Sequence, residues 1–285
     1  QNFLKKNLST AQITCPYHGW TFTPYSSYIP RKDTFPEINS ISEVRPKVWK
    51  IENINGFIFI SYKPLFTLHD QLGKEVVNII SEIGQSINKN YSSQEIIFNC
   101  DWKIAIENAL EPYHVSFVHK DTLAPLGISD GKNIFYDWAS IFKDKIKSKK
   151  VKNSKKIFEK MLNIKYNFDG YWSLYLYPFS MISSTEATTF AHQFYQPYEN
   201  GNKTSCLTKL WCLETAKDQY EETLNNFYKS VSETNLKIFQ EDAEICSYVN
   251  DGMWNKKPLF FKSNLEAKVD HFRNCIRKFE HLLKR

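Results

Sequence analysis

Two histidines and a carboxylate stand close together in the segment Glu107-Asn108-Ala109-Leu110-Glu111-Pro112-Tyr113-His114-Val115-Ser116-Phe117-Val118-His119. Neutral imidazoles are common transition-metal ligands, and a carboxylate on one ring nitrogen fixes which nitrogen stays free for the metal. Five residues along a regular α-helix rotate the side chain by roughly 140°, so His114 and His119 cannot share a helical face as an i, i+4 pair does. Chelation by this pair therefore needs a π-type turn or a helix break between Pro112 and His119, an irregularity of the kind that gathers at functional sites. Taken alone, the spacing also fits two unrelated histidines, one packed and one exposed.

Cys15-Pro16-Tyr17-His18-Gly19-Trp20 offers a second candidate, one thiolate and one imidazole across a tight proline-containing turn. A bare Cys-x-x-His is equally half a zinc site or chance.

The elements around these residues fall into two groups. Short strands over 12–15, 20–22, 48–51 and 57–62, separated by Pro, Ser and Asn, predict a small all-β unit, and Leu72, Val76, Ile79, Ile80 and Ile83 predict a helix over 68–87. A second unit, whose boundary we place at 65, opens with a strand over 95–100 and a segment from Trp102 to His119 in which Ile106, Leu110 and Tyr113 fall three and four apart as on a helix. It continues with long strands over 164–177, 180–198 and 205–214, rich in Tyr, Phe, Trp and Thr, and closes with helices over 218–250 and 265–284. Strands flanked by helices, without βαβ alternation or internal repeat, predict an α+β fold with domains at 1–64 and 65–285.

Charge is local. Eight lysines and one acid between Lys143 and Lys156 more than account for the net charge of +6. The run predicts a solvated loop, or a docking patch for an acidic electron donor, and it lacks the interleaved aromatics of a nucleic-acid groove. No stretch approaches the eighteen or more apolar residues of a membrane helix. Six scattered cysteines suggest a reducing compartment rather than a disulfide scaffold. The expectation is a soluble, cytoplasmic protein that binds neither membrane nor nucleic acid. The first residue is Gln1 rather than Met, so the natural start reads as lost, and any targeting signal with it.

Cys15 to Trp20 resembles the second ligand loop of Rieske domains, in which two cysteines and two histidines hold a 2Fe-2S cluster. The resemblance places a first Cys-x-His loop fifteen to twenty residues earlier, and only fourteen residues precede Cys15, so the domain reads as N-terminally truncated. Asp101-Trp102-Lys103, Glu107-Asn108 and Glu-x-Tyr-His-x4-His together resemble the signature of Rieske non-haem iron oxygenase catalytic subunits, with Asp101 in place of the usual Asn. The resemblance implies a facial triad for mononuclear Fe(II), made by His114, His119 and a carboxylate from Phe239-Gln240-Glu241-Asp242-Ala243-Glu244-Ile245-Cys246. Asp242 is the matching ligand, with Glu241 and Glu244 as alternatives.

It also implies that Glu111 bridges His114 to the cluster ligand His18 of a neighbouring subunit in a homotrimer. Electrons would come from NAD(P)H through a reductase or ferredoxin, and the substrates would be O2 and a small organic molecule to be hydroxylated or demethylated. Aromatic-ring dihydroxylation, and a non-catalytic ligand-binding protein with a decayed iron site, are the alternatives. The implied catalytic fold is a START-type helix grip, a long helix across a curved antiparallel sheet. Its pocket candidates are Trp172, Tyr175, His192 and Phe194, together with Trp138, Tyr171, Tyr177 and Phe190.

Overall fold

The computed structural model describes residues 12–23, 25–38, 44–45, 47–87, 89–128, 131–163, 168–185, 189–198, 203–212, 220–249 and 263–284. Residues 1–52 and 58–65 group as one compact unit, and 53–57 and 66–285 as another.

In the first unit the β-formers come in short groups between turn residues, and the strands are correspondingly short. β1 (Ile13–Thr14), β2 (Thr21–Phe22) and β3 (Ser27–Tyr28) make a three-stranded antiparallel sheet. β4 (Lys50–Ile54) and β5 (Phe57–Ser61) form a hairpin turned by Asn55-Gly56, with residues 53–57 at its tip grouped in the second unit. Both turn residues have positive φ, 43° and 92°, the conformation that Asn-Gly adopts most readily in a tight hairpin.

In the second unit, α1 (Leu68–Ser86) starts where the Thr67 hydroxyl accepts from the Asp70 backbone N–H, and it buries Leu72, Val76, Ile80 and Ile83 along one stripe. β6 (Lys89–Phe98), α2 (Trp102–Leu110) and the single turn α3 (Val115–Val118) follow. Next come β7 (Lys132–Phe135), β8 (Ala139–Asp144) and α4 (Lys149–Leu162). β9 (Tyr171–Leu176), β10 (Ser180–Thr185), β11 (Thr189–Pro197), β12 (Thr204–Cys212), α5 (Glu221–Ser247) and α6 (Ala267–Leu283) complete the chain. The sheet is antiparallel throughout, in the order β6-β12-β11-β10-β9-β8-β7.

Strands β7 to β12 are thus a meander, and β6 pairs with the last of them. The β6-to-β7 connection must therefore travel from one edge strand to the other, and α2 and α3 lie within it. One apolar core joins α2, α5 and α6 to the sheet: Ile104, Ile106 and Leu110 meet Phe239, Cys246, Phe272, Tyr175 and Tyr195. With α5 about 40 Å long at 1.5 Å per residue, the second unit is the expected α+β arrangement of long helices on an antiparallel sheet.

Three expectations are corrected. The lysine-rich stretch is a loop only over 145–148: Lys143 belongs to β8, and from Lys149 onward it is a helix, α4. Lysine is a good helix former, and Phe158 is buried against the Leu224 and Tyr228 side of α5. The strand expected over 180–198 is two strands, and the hairpin β7–β8 was not anticipated at all. The segment 164–167 lies outside the described residues, and the strand expected there runs from Tyr171.

Candidate metal centre and adjoining cavity

Asp101 starts α2 by accepting from the Lys103 backbone N–H at 2.8 Å, with the Lys103 ammonium also at 2.8 Å. Pro112 ends it. A residue before proline is driven out of the α region, and Glu111 accordingly lies at φ −112°, ψ 137°. The chain then turns, and the Glu111 carboxylate caps the new turn by accepting from the backbone N–H groups of Tyr113 and His114. This interruption precedes both histidines, which flank the single turn α3: His114 is its N-cap, and His119, at φ −101° and ψ 44°, leaves the helical region as its C-cap.

From the two ends of α3 the imidazoles meet. His114 Nε2 and His119 Nε2 are 3.2 Å apart. Asp242, carried on α5, places Oδ1 3.0 Å from His119 Nε2 and 3.5 Å from His114 Nε2. All three ligand atoms lie within 4.8 Å of one another, the one such group of three or more His, Cys, Asp or Glu among the described residues. Glu241, beside Asp242 in sequence, stands behind His119 instead, and Glu244 is exposed.

A second set of side chains holds the first. Glu111 Oε1 is 2.5 Å from His114 Nδ1. Glu241 Oε2 is 2.8 Å from His119 Nδ1 and accepts from the Thr122 hydroxyl at 2.9 Å. Carboxylates on both Nδ1 atoms keep protons there and turn both Nε2 lone pairs toward Asp242. Asn108 Nδ2 donates to Asp242 Oδ1 at 2.7 Å, and Glu107 forms a two-point ion pair with Arg273 at 2.6 and 2.7 Å, tying α2 to α6.

Electrostatics follow the same geometry. Burial alone would push the His114 imidazole down, but its bonds to Asp242 and Glu111 outweigh burial and raise its pKa to about 9. His119 is raised by the same balance, burial against Asp242 and Glu241. Burial pushes Asp242 up, and the two histidines more than reverse it, holding the carboxyl at about 2. Two imidazole nitrogens and one carboxylate oxygen on a common point are the donor set of a two-histidine, one-carboxylate metal site, so the residues fit a mononuclear divalent metal such as iron. Protons compete with the metal for the same lone pairs.

Cys15 and His18 sit in the β1–β2 hairpin. The Cys15 backbone N–H donates to Trp20 O at 2.7 Å, that of Gly19 to Cys15 O at 2.9 Å, and Gly19 takes the positive φ of 69° that the turn requires. Cys15 is half-buried and His18 exposed.

Beside His114 a cavity of about 100 Å³ opens between the sheet and the helices. Glu111, Pro112 and His114 edge it, and Phe142, Tyr171, Tyr195 and Phe239 wall it. Ser173, Ser183 and Ala191, register neighbours on β9, β10 and β11, leave the space by being small.

Of the pocket candidates, Tyr171 lines this cavity and Trp172, Tyr175, His192 and Phe194 do not. Successive strand residues face opposite sides of a sheet, and Trp172, His192 and Phe194 are on the wrong side. Trp172 packs on Phe168 and Phe190, His192 Nε2 is 2.8 Å from Ser180 Oγ, and Phe194 is 39% exposed. Tyr175 has the right parity but is sealed in the helix-packed core, donating to Pro178 O at 2.8 Å and packed on Phe272. Trp138 and Tyr177 pack against each other. Sequence reasoning missed the roles of Gln193 on the cavity face and of Lys268 beneath Ser173. Neither position carries a motif, and only strand parity, once anchored by a known inward residue such as Tyr195, would have singled out Gln193.

Residues 85–280 match the ring hydroxylating alpha subunit family, in its catalytic domain. The chain belongs to this family. Among relatives, this ring hydroxylating alpha-subunit chain is 28% identical to the 2-halobenzoate 1,2-dioxygenase large subunit of Burkholderia cepacia over 44% of its own length and 29% of that protein's. It is 24% identical to the carnitine monooxygenase oxygenase subunit of Escherichia coli K12 over 85% of its length and 62% of that protein's. The chain thus spans less than two thirds of these relatives' length, 29% of one and 62% of the other. A quaternary ammonium Rieske monooxygenase solved with L-carnitine matches it with a TM-score of 0.67 and 16% identity, covering 96% of this chain and 73% of that one. Pseudomonas putida CBB5 NdmA with theobromine matches with a TM-score of 0.55 and 13% identity, over 98% and 74%.

Proposed function

We propose that the chain is the catalytic part of a Rieske-type oxygenase. With O2, and with electrons passed from NAD(P)H by a reductase or ferredoxin, it hydroxylates or demethylates a small organic substrate beside a mononuclear Fe(II) held by His114, His119 and Asp242. The observation that carries this reading is the convergence of those three side chains, of which His114 edges a cavity, with both Nδ1 atoms occupied by carboxylates. A protein whose iron site had decayed would have no reason to keep all five side chains in register. Iron bound there would supply activation of O2.

The protein's own residues do the rest. Glu111 and Glu241 hold the protons on the Nδ1 atoms, Asn108 orients Asp242, and the Glu107–Arg273 pair keeps α2 fixed against α6. The cavity walls exclude water and hold a substrate close to His114, and such placement is itself a large part of a rate enhancement. In the whole protein, Cys15 and His18 would hold part of a 2Fe-2S cluster. Glu111 would link His114 to the corresponding His18 of a neighbouring subunit in a head-to-tail trimer. The exposed lysines between Lys143 and Lys156 would attract an acidic electron donor.

Carnitine monooxygenase aligns over more of this chain than the dioxygenases do, which favours single-site hydroxylation or demethylation. The likeness to 2-halobenzoate and toluate 1,2-dioxygenases supports ring dihydroxylation as the second reading. The test is anaerobic iron loading, followed by O2 uptake with a reductase and a panel of quaternary amines and arenes. Wild type should bind about one mononuclear iron per chain, and the Asp242→Ala and His119→Ala variants almost none. Retention of that iron by both variants would sink the reading.

A further inference from the structure

One polar atom in the cavity beside His114 has nothing to bond. Gln193 is 4% exposed and lines the cavity, and its carboxamide oxygen has no hydrogen-bond partner. Folded proteins pair nearly all such buried oxygens, because an unpaired one keeps the full cost of leaving water. The strand makes the placement firm. Gln193 alternates with Ala191 and Tyr195 on the cavity face of β11, and is held across the ladder by Met181 on β10 and Thr208 on β12. At the neighbouring level the row Ser173, Ser183 and Ala191 is small, so open space adjoins the amide where a larger side chain would have filled it.

The other walls decide what charge that space tolerates. Among the described residues no Lys or Arg lines it, and the acid and the imidazole that do, Glu111 and His114, are bonded to each other. Lys268 donates to Ser173 Oγ at 3.1 Å and does not itself line the cavity. A carboxylate entering here would shed its water without direct contact with a cation among the described residues. A quaternary ammonium could rest against Phe142, Tyr171, Tyr195 or Phe239 but has no N–H or O–H to offer Gln193.

We infer that this cavity takes a small, neutral, largely apolar molecule that donates an N–H or O–H to Gln193 Oε1, and that Gln193 is the specificity-determining residue. The inference rests on the oxygenase reading only in calling that molecule a substrate; the binding preference stands on the cavity alone.

Four ring compounds of similar size and one cation separate the possibilities: benzyl alcohol as donor, acetophenone as acceptor only, toluene with neither, benzoate as anion, and tetramethylammonium as quaternary cation. Binding to the full chain is followed by calorimetry, for wild type, Gln193→Leu and Gln193→Met. Wild type should prefer benzyl alcohol to toluene by roughly tenfold, the worth of one buried hydrogen bond. Both variants should lose that preference while keeping their affinity for toluene. The inference is overturned if acetophenone, benzoate or tetramethylammonium binds wild type as well as benzyl alcohol does. It is also overturned if benzyl alcohol does not bind at millimolar concentration, or if a folded variant keeps the tenfold preference. Should Gln193→Leu fail to fold, Gln193→Met carries the comparison, and should both fail, the ranking of the four compounds on wild type decides alone. Iron content of the same preparations keeps the two readings apart: intact iron binding with the wrong compound preference sinks this inference only, and the reverse result sinks only the oxygenase reading.

Discussion

Replacing Lys268 should change how the stability of this protein depends on pH. Its side chain lies beneath the cavity floor, 1% exposed, and its ammonium donates to Ser173 O at 3.2 Å and to Ser173 Oγ at 3.1 Å. Among the described residues no carboxylate pairs with it, and burial pushes its pKa down from 10.5 to about 7. The sign follows from proton counting. In the unfolded chain the amine keeps its proton up to about pH 10.5, whereas in the folded protein it loses the proton near pH 7, so the unfolded state binds more protons between those values. Stability therefore rises with pH across that window. At about 1.4 kcal/mol per pH unit the whole window is worth about 5 kcal/mol, an order-of-magnitude figure.

Lys268→Met keeps the apolar stem, removes the titration and forfeits the two bonds to Ser173, a loss of about 1–3 kcal/mol. Near pH 7 the variant should be the more stable by a few kcal/mol, and near pH 10 the two proteins should converge or cross. Urea unfolding followed by tryptophan fluorescence at several pH values between 7 and 10 measures the difference. Other titrating groups largely cancel in it because both proteins share them. His271 is the group most directly affected: burial pushes its imidazole down first, and Lys268 adds to that, so the comparison is kept above pH 7. A stability difference that did not vary with pH would refute the reasoning, since it would mean that water or an acid reaches the ammonium and keeps it charged.

Two more outcomes are expected at the metal centre. Glu241→Gln should weaken divalent-metal affinity by roughly 10–100-fold with circular dichroism unchanged, because the amide no longer fixes the His119 tautomer; unchanged affinity in a chelator competition would show that Thr122 and the backbone suffice. Apparent metal affinity should climb with pH from about 7 to about 9, by roughly tenfold per unit for His114 alone, because a proton must leave an imidazole whose pKa is raised to about 9. A flat profile would exclude His114 as a ligand.

The candidate metal centre was legible mainly through the resemblance of its segment to an oxygenase signature, since the five-residue spacing alone also fits two unrelated histidines. The pair is brought together by leaving the helix at His119, the C-cap of α3, while Pro112 ends α2 ahead of both. Asp242 could also be separated from its neighbours: Ile238, Phe239, Asp242 and Cys246 form one buried stripe on α5, so this acid alone of the three points into the core, while Glu244 is exposed. The cavity was not legible, and the reason is periodicity. Aromatic residues occupy both faces of β9 and β11, and with a repeat of two a misjudgement by one residue exchanges the cavity wall for the opposite face. Aromatic type alone therefore points to Trp172 and His192, where the cavity wall is Ser173 and Gln193. The hairpin β7–β8 and helix α4 were hidden by lysine. Charge drew the reading toward solvent, although Ala139, Ile141, Phe142 and Phe158 are buried and fix those elements against the core.

Pro112 and Glu111 also explain why a carboxylate, rather than an amide, suits the position next to the break. The proline forces Glu111 out of the helix and leaves the following backbone N–H groups without helical acceptors. Glu111 Oε2 accepts from two of these, those of Tyr113 and His114, while Oε1 takes the Nδ1 proton of His114. One side chain thus ends α2, starts the next turn and sets the tautomer of a candidate ligand. Glutamine has a single acceptor oxygen, so an amide here would turn an N–H toward either the backbone donors or the imidazole N–H. Aspartate, one methylene shorter, would have less reach to satisfy both at once. The local break and the orientation of His114 are therefore one feature, and a change at Glu111 should disturb both together.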